Sequence, residues 1–239
     1  AGIGVNKCAY HLPLYRQQEM MKHVGIDISR QTLSQHYIRG AKALEPLFDL
    51  LKKTVITGKY LFTDDTPVKL QVKGKKKTVT GRMWVYVSGG ELPKYTIFDF
   101  TIDRKAEHTV NLLKDFKGYV HADAYGGYDQ LFAKEGITEC ACWMHVRRKF
   151  FEALDGAVEF RDEILRLIRN LYRYEKVLAK ADTDTRLKLR KEKISPIIDQ
   201  IFKSARDATI NGRPKILPKS KTQGAITYLL NQETALKTF

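Results

Sequence analysis

The chain has 239 residues, with 42 Lys and Arg against 27 Asp and Glu, a formal net charge of +15. Its 43% hydrophobic and 10% aromatic content can bury a sizeable core, which excludes wholesale disorder and fits one large domain or a core with an appendage. No apolar run nears the roughly 20 residues of a membrane span, residues 1–10 lack a signal-peptide core, and three cysteines (Cys8, Cys140, Cys142) are too few for a disulfide framework, so a reducing, cytoplasmic setting is expected.

Residues 1–58 read as a helical region. Pro13 opens a run through His23, with Leu14, Met20, Met21 and Val24 at helical spacing and Gly25 ending it. Ser29 caps a second run carrying Leu33, Tyr37, Ala41 and Leu44 on one face. Such a pair can be a DNA-reading helix-turn-helix, with Arg30, Gln31, Ser34 and Gln35 toward the groove. The Gly-Ile-Asp-Ile-Ser connection is long for the tight turn of that motif, and an ordinary helical pair is the plain alternative. Glu45-Pro46 starts a third helix that ends near Gly58.

From Lys59 the period changes to two. Residues 59–72 alternate through Tyr60, Phe62, Val68, Leu70 and Val72 around Pro67. Residues 79–87 form a second strand, and Tyr95 to Phe100 a third. A helix at 104–116, a short buried strand at 119–122, a helix at 125–134 and a strand at 137–142 follow. The order β-β-β-α-β-α-β is that of an α/β fold, a mixed sheet of five strands flanked by helices, over a core of residues 59–152. Residues 153–239 are read as a basic helical insertion that returns toward the core. Its stripes are Ile164, Leu167, Ile168, Leu171 and Leu178, then Ile194, Ile197, Ile198, Ile201 and Phe202, with a turn at Asn211-Gly212-Arg213-Pro214.

Three features can carry chemistry. Asp64, in Thr63-Asp64-Asp65-Thr66-Pro67, and Asp123, directly after the 119–122 strand, would face each other if the first and fourth strands are neighbours. With oxygen donors and no His or Cys nearby, the pair would hold Mg²⁺ or Mn²⁺, ions suited to phosphodiester chemistry. The plain alternative is a pair of solvated turn aspartates. The third feature is Cys142-Trp143-Met144-His145-Val146-Arg147-Arg148-Lys149-Phe150-Phe151. Its Cys-x-x-His spacing lacks the further ligands of a structural zinc site. It reads better as a helix offering Arg147, Arg148 and Lys149 to phosphate, with Trp143, Phe150 and Phe151 in the core. The charge excess agrees, since residues 143–239 hold 21 basic and 12 acidic groups. Lys75, Lys76 and Lys77 form a further basic turn, and nucleic acid is the leading partner, with a solvated basic face as the alternative.

The chain resembles the insertion sequence 66 family of bacterial transposases. The resemblance rests on Pro13-Leu14-Tyr15-Arg16, Asp64-Asp65-Thr66-Pro67, Gly81-Arg82-Met83-Trp84-Val85-Tyr86, Asp123-Ala124-Tyr125-Gly126-Gly127-Tyr128, the stretch from Cys142 to Phe150, and Ala225-Ile226-Thr227-Tyr228-Leu229. It implies a ribonuclease H-like core and metal-dependent cleavage and strand transfer of double-stranded DNA ends by an Asp-Asp-Glu triad, in a bacterial cell. Asp64 and Asp123 map to the first two members, and Asp65 stands where the family usually has Glu. The third member lies in an Asn-Asn-x-x-Glu-Arg motif, and this sequence stops short of it. Glu233 lies too early and lacks the motif. The expectation is therefore a transposase region with impaired strand transfer, able to pair with a second copy through an uncovered sheet face. A DNA-binding relic and a nuclease of the same fold are the alternatives.

Overall fold

The computed structural model describes residues 1–74, 76–90, 92–210 and 216–238, and divides into two units, Ala1–Thr57 and Gly58–Phe239. Lys75 and the turn read at Asn211-Gly212-Arg213-Pro214 lie outside the described residues. No helix among the described residues is long and apolar enough to cross a membrane.

The first unit holds α1 (Gly2–Cys8), α2 (Leu14–His23), α3 (Arg30–Ala43) and α4 (Glu45–Ile56). Helix α1 has no counterpart in the sequence reading, because two glycines and the lack of a capping side chain hide it. Ser29 caps α3 as expected, accepting a bond from the Thr32 N–H at 3.1 Å. The α2–α3 connection turns at Gly25, whose φ of +80° favours glycine. The side-chain amide of Gln17, itself buried, donates to the Leu12 carbonyl at 2.9 Å and so ties α2 to the segment before it.

The second unit is built on the mixed five-stranded sheet expected from the sequence, in the order β3-β2-β1-β4-β5. The strands are β1 (Tyr60–Leu70), β2 (Val79–Ser88), β3 (Thr96–Thr101), β4 (Gly118–Ala122) and β5 (Ile137–Ala141). The first three form an antiparallel meander, whereas β4 and β5 run parallel to β1. With its flanking helices this is the α/β arrangement expected over residues 59–152. Pro67 does not interrupt β1: the β1–β4 ladder covers only Tyr60 to Phe62, so beyond it one edge of β1 has no partner strand among the described residues and a missing N–H is tolerated.

Gly118 fixes where β4 joins β1. At φ +140° it starts the strand so close that a Cβ would lie 2.3 Å from the Lys59 carbonyl oxygen. The next N–H, of Tyr119, donates to that same oxygen at 2.8 Å. Alternation then sorts the side chains. One face carries Leu61, Trp84, Tyr86, Ile97 and Val120, buried with Leu112, Leu113 and Phe116 from α5 (Ala106–Leu112) and the turn after it. The expected helix at 125–134 is a 3₁₀ turn (Gly126–Tyr128) leading into one turn of α6 (Asp129–Phe132). Gly126-Gly127 explains the break, since the Tyr125 ring occupies the place of a Gly127 Cβ.

Helices α7 (Trp143–Glu152), α8 (Val158–Leu178), α9 (Thr183–Leu189), α10 (Ser195–Ile210), α11 (Lys221–Asn231) and α12 (Glu233–Lys237) complete the unit. The two stripes read from the sequence bury together here: Phe160, Ile164, Leu167, Ile168 and Leu171 cluster with Ile194, Ile198, Ile201 and Phe202. Helix α7 joins them through Trp143, Val146 and Phe150. Phe151, expected in the core, is 60% exposed, because it sits about 100° around the helix from Phe150.

Candidate active site

Register brings the site together. Tyr60, Leu61 and Phe62 of β1 pair with Tyr119, Val120 and His121 of β4. Continuing that register two residues sets Asp64 level with Asp123. In the same way Ala122 pairs with Ala141 of β5, which sets Asp123 level with Cys142, the N-cap of α7. Three neighbouring parallel strands thus aim Asp64, Asp123 and the start of a helix at one spot, past the C-terminal ends of β4 and β5, where sheet proteins hold ligands. Cross-strand rings support this register, with Tyr60 stacked on Tyr119 at 5.2 Å and Phe62 beside His121 at 5.3 Å.

The structure adds a residue to the pair. A ring nitrogen of His145 and carboxylate oxygens of Asp64 and Asp123 all lie within 4.8 Å of one another, the one such group of this kind among the described residues. The expectation of no His or Cys nearby is therefore corrected: His145 joins the two aspartates, and Cys142 lines the same cavity of about 180 Å³. Helix geometry is the reason. Cys142 is the N-cap and His145 the third helical residue, positions whose side chains meet as in a capping box. The Cys-x-x-His spacing was the sequence signal, and its meaning needed the helix start that the structure supplies.

Electrostatics distinguish the two adjacent aspartates of β1. Asp65 points to the covered face with a side chain only 1% exposed, where Arg82 Nη1 meets it at 3.0 Å and Arg104 Nε at 3.0 Å. Asp64 is exposed on the other face and accepts the Asp65 N–H at 2.8 Å. Among the described residues no lysine or arginine pairs with Asp64. Asp123 accepts from the Tyr125 N–H at 3.3 Å and lies 3.6 Å from Arg104, which also stacks over the Tyr125 ring at 3.6 Å. Burial raises the Asp123 pKa above the ordinary carboxylate value, with Arg104 and His145 opposing and Asp64 adding to the rise. The Cys142 thiol beside its ring holds His145 above the usual histidine range against burial, and Asp123 and Asp64 add to that. Burial opposes the Cys142 thiolate, yet His145 and the first N–H groups of α7 bring its pKa below the usual thiol value.

The basic residues named from sequence occupy several surfaces. Arg147, Arg148 and Lys149 are exposed on α7, with Arg147 over the Phe151 ring at 5.5 Å and Lys149 over Tyr228 at 4.5 Å. Lys76 and Lys77 are exposed in the β1–β2 turn. Arg30 and Gln31 are exposed at the start of α3, in the other unit. Glu233 is engaged by Arg206 and, at 3.0 Å, by Lys237, and stands apart from the aspartate pair.

Comparison with known proteins agrees along the whole chain. It is 31% identical over its full length to "Uncharacterized protein y4qI" of Sinorhizobium fredii (strain NBRC 101917 / NGR234), of which it spans 46%. It is 31% identical over 84% of its length to "Uncharacterized protein y4hP" of the same organism, of which it spans 40%. The chain thus spans less than half the length of these curated relatives. Among solved structures, a chain in the cryo-electron microscopy structure of the simian T-cell lymphotropic virus intasome in complex with PP2A regulatory subunit B56 gamma is similar at a TM-score of 0.27, with 12% identity over 56% of this chain and 47% of that chain, a likeness too slight to bear on function. The profile described as "Transposase IS66 family" matches residues 1–239. The chain belongs to the IS66 family of transposases.

Proposed function

We propose that this chain carries the metal-holding heart of a DNA transposase, which cuts phosphodiester bonds at the ends of a mobile element and joins them to target DNA. The observation that carries this reading is the meeting of Asp64 and Asp123 across two parallel strands, in a chain of the IS66 family. Their donor set fits a divalent cation: two carboxylates, one exposed and one raised in pKa by burial, with no lysine or arginine among the described residues neutralising Asp64. Mg²⁺ or Mn²⁺ held there supplies Lewis acidity to an attacking hydroxyl and to the phosphoryl oxygens.

The chain's own residues then divide the work. Asp64 and Asp123 hold the ion, and Arg104 orients Asp123 from behind. Arg147, Arg148 and Lys149, within about one turn of His145 on the same helix, meet backbone phosphates of duplex DNA, where guanidinium groups bind oxygens in pairs. Lys76 and Lys77 extend the basic surface from the β1–β2 turn, Lys75 belongs to the same run of the sequence, and Arg30 and Gln31 offer groove contacts from α3. Residues 1–58 form a helical DNA-contacting region, 59–152 the catalytic core and 153–239 the basic insertion. Two-metal transfer needs ligands for a second ion, which the resemblance assigns to a Glu outside residues 1–239. This stretch assayed alone is therefore expected to bind DNA and transfer strands feebly, and to self-associate through its open sheet face.

The test is cleavage and strand transfer on element-end DNA by residues 1–239 and by a longer chain of the family that contains the Asn-Asn-x-x-Glu-Arg motif. Activity in the longer chain that disappears with Asp64→Asn and with Asp123→Asn, while folding and DNA affinity stay intact, is the expected result. Activity untouched by both substitutions would overturn the reading. Fluorescence anisotropy with duplex DNA covers the binding half. The affinity should fall steeply with salt, by about 0.9 log units per log unit of salt for each phosphate contact, and Arg147→Ala with Arg148→Ala should flatten that slope.

A further inference from the structure

The cavity at the strand ends contains a nitrogen donor that an Asp-Asp pair does not account for. His145 sits in the first turn of α7, a helix locked by the buried side chains Trp143, Val146 and Phe150. The Trp143 indole N–H donates to the Leu236 carbonyl at 3.1 Å, which pins that first turn to α12. The imidazole is thereby held in place by the rigid part of the fold and not by a loop. Its Nδ1 atom is buried and has no hydrogen-bond partner among the described residues, although the Cys142 thiol stands beside the ring. Among the described residues no ion pair ties the ring to either carboxylate, although all three donors lie within 4.8 Å of one another. A buried imidazole nitrogen without a partner is costly unless something completes it.

We infer that His145 is a third protein ligand of the ion held by Asp64 and Asp123, so that the site prefers a first-row transition ion with nitrogen affinity, in the Mn²⁺ to Zn²⁺ series, over Mg²⁺. The inference rests on the metal-site reading above and adds to it a ligand and a preference. An ion about 2.1 Å from each donor spaces the donors by at most about 4.2 Å, so rotations that move each by a few tenths of an ångström close the set. The preference follows from ligand chemistry. Mg²⁺ takes oxygen donors in near-ideal octahedral geometry and keeps much of its water, whereas imidazole suits later first-row ions and affinity rises along the series toward Cu²⁺. Two carboxylates and one imidazole also leave positions open for water or phosphate, as a catalytic site requires and a closed structural zinc site does not. Cys142 lies alongside as the helix cap and is outside the donor group.

Calorimetric titration of residues 1–239 with Mn²⁺, Co²⁺ and Mg²⁺, together with the visible absorption spectrum of the Co²⁺ form, tests this directly. Mn²⁺ and Co²⁺ should bind more tightly than Mg²⁺. His145→Ala should weaken Mn²⁺ and Co²⁺ by at least about tenfold, since even residues behind metal ligands cost 10- to 100-fold, and should leave Mg²⁺ affinity nearly unchanged. His145→Gln, which keeps the side-chain bulk and a polar tip, controls for folding, and its Co²⁺ spectrum should lose the features of nitrogen ligation. Cys142→Ser should leave all three affinities in place. If His145→Ala and His145→Gln bind every ion as the parent does while Asp64→Asn abolishes binding, the third-ligand inference is overturned and the Asp-Asp site stands. If Asp64→Asn and Asp123→Asn also leave binding untouched, the metal-site reading falls with it.

Discussion

Asp64 and Asp65 are neighbours on β1, and the two faces of the sheet put them to different uses. On the covered face, Asp65 is buried between Arg82 and Arg104, over a core of Trp84, Tyr86 and Tyr128. Several polar groups there find partners: the Trp84 indole N–H donates to the Thr101 hydroxyl at 2.8 Å, and the Thr63 and Tyr128 hydroxyls meet at 3.3 Å, although the buried Tyr86 hydroxyl has no partner among the described residues. On the open face, Phe62, Phe98 and Phe100 are 48%, 58% and 42% exposed, and Asp64, Asp123 and His145 converge, with Arg104 reaching Asp123 at 3.6 Å. The covered side pairs its buried carboxylate with two guanidinium groups, whereas the open side gathers two carboxylates and an imidazole, of which Asp64 has no lysine or arginine partner among the described residues.

The comparison breaks most sharply at the aspartates. Asp65→Ala leaves two guanidinium groups facing a buried gap, and urea unfolding should show a loss of about 3–5 kcal/mol. Asp64→Asn, one residue away, should change stability by no more than about 0.5 kcal/mol. The apolar neighbours give the next largest contrast. Leu61 is 1% exposed, and Leu61→Ala should cost about 2–5 kcal/mol in the same measurement. The half-exposed Phe62 should cost visibly less on replacement by Ala. Equal losses would show that something else covers the open face.

Two smaller effects sharpen the picture. Gly118→Ala puts a methyl group 2.3 Å from the Lys59 carbonyl at a φ that side chains rarely adopt. It should destabilise by more than about 1 kcal/mol and loosen the β1–β4 register, seen as faster amide exchange at Tyr119. The least effect is electrostatic. Asp103, just before α5, accepts from His108 at 2.7 Å and from the Lys105 N–H at 3.2 Å, which lowers its pKa. A lowered acid pKa adds stability above its unfolded value and loses it as pH falls through the folded one. Carboxyl NMR should therefore place the Asp103 midpoint below about 3.9, and His108→Ala should move it upward.

Much of this was legible in the sequence, for physical reasons that differ by region. The strands announced themselves by period-two alternation, and the short turns between the first three marked them as an antiparallel meander, while the place of the fifth strand came from the structure. The Asp64–Asp123 meeting needed only the assumption that the first and fourth strands are neighbours. Helix α1 and the broken 125–134 segment were not legible, because glycines at positions 2, 4, 126 and 127 mask or interrupt the periodicity. His145 was visible as half of a Cys-x-x-His pair, but a zinc template needs four ligands and hid the other use of the residue. Its partners stand 22 and 81 positions earlier in the chain, so only the parallel register joins them. Phe151 was misplaced because an aromatic next to a core aromatic on a helix faces a different direction.

The central claim is that the open end of β1, β4 and α7 holds a divalent cation. Its most direct test is a crystal of this chain grown or soaked with Mn²⁺, measured for anomalous scattering. The account requires a peak between Asp64 and Asp123, about 2.0–2.6 Å from an oxygen of each, and that peak should vanish in Asp64→Asn. A crystal that takes up Mn²⁺ elsewhere while these carboxylates remain bare would contradict it.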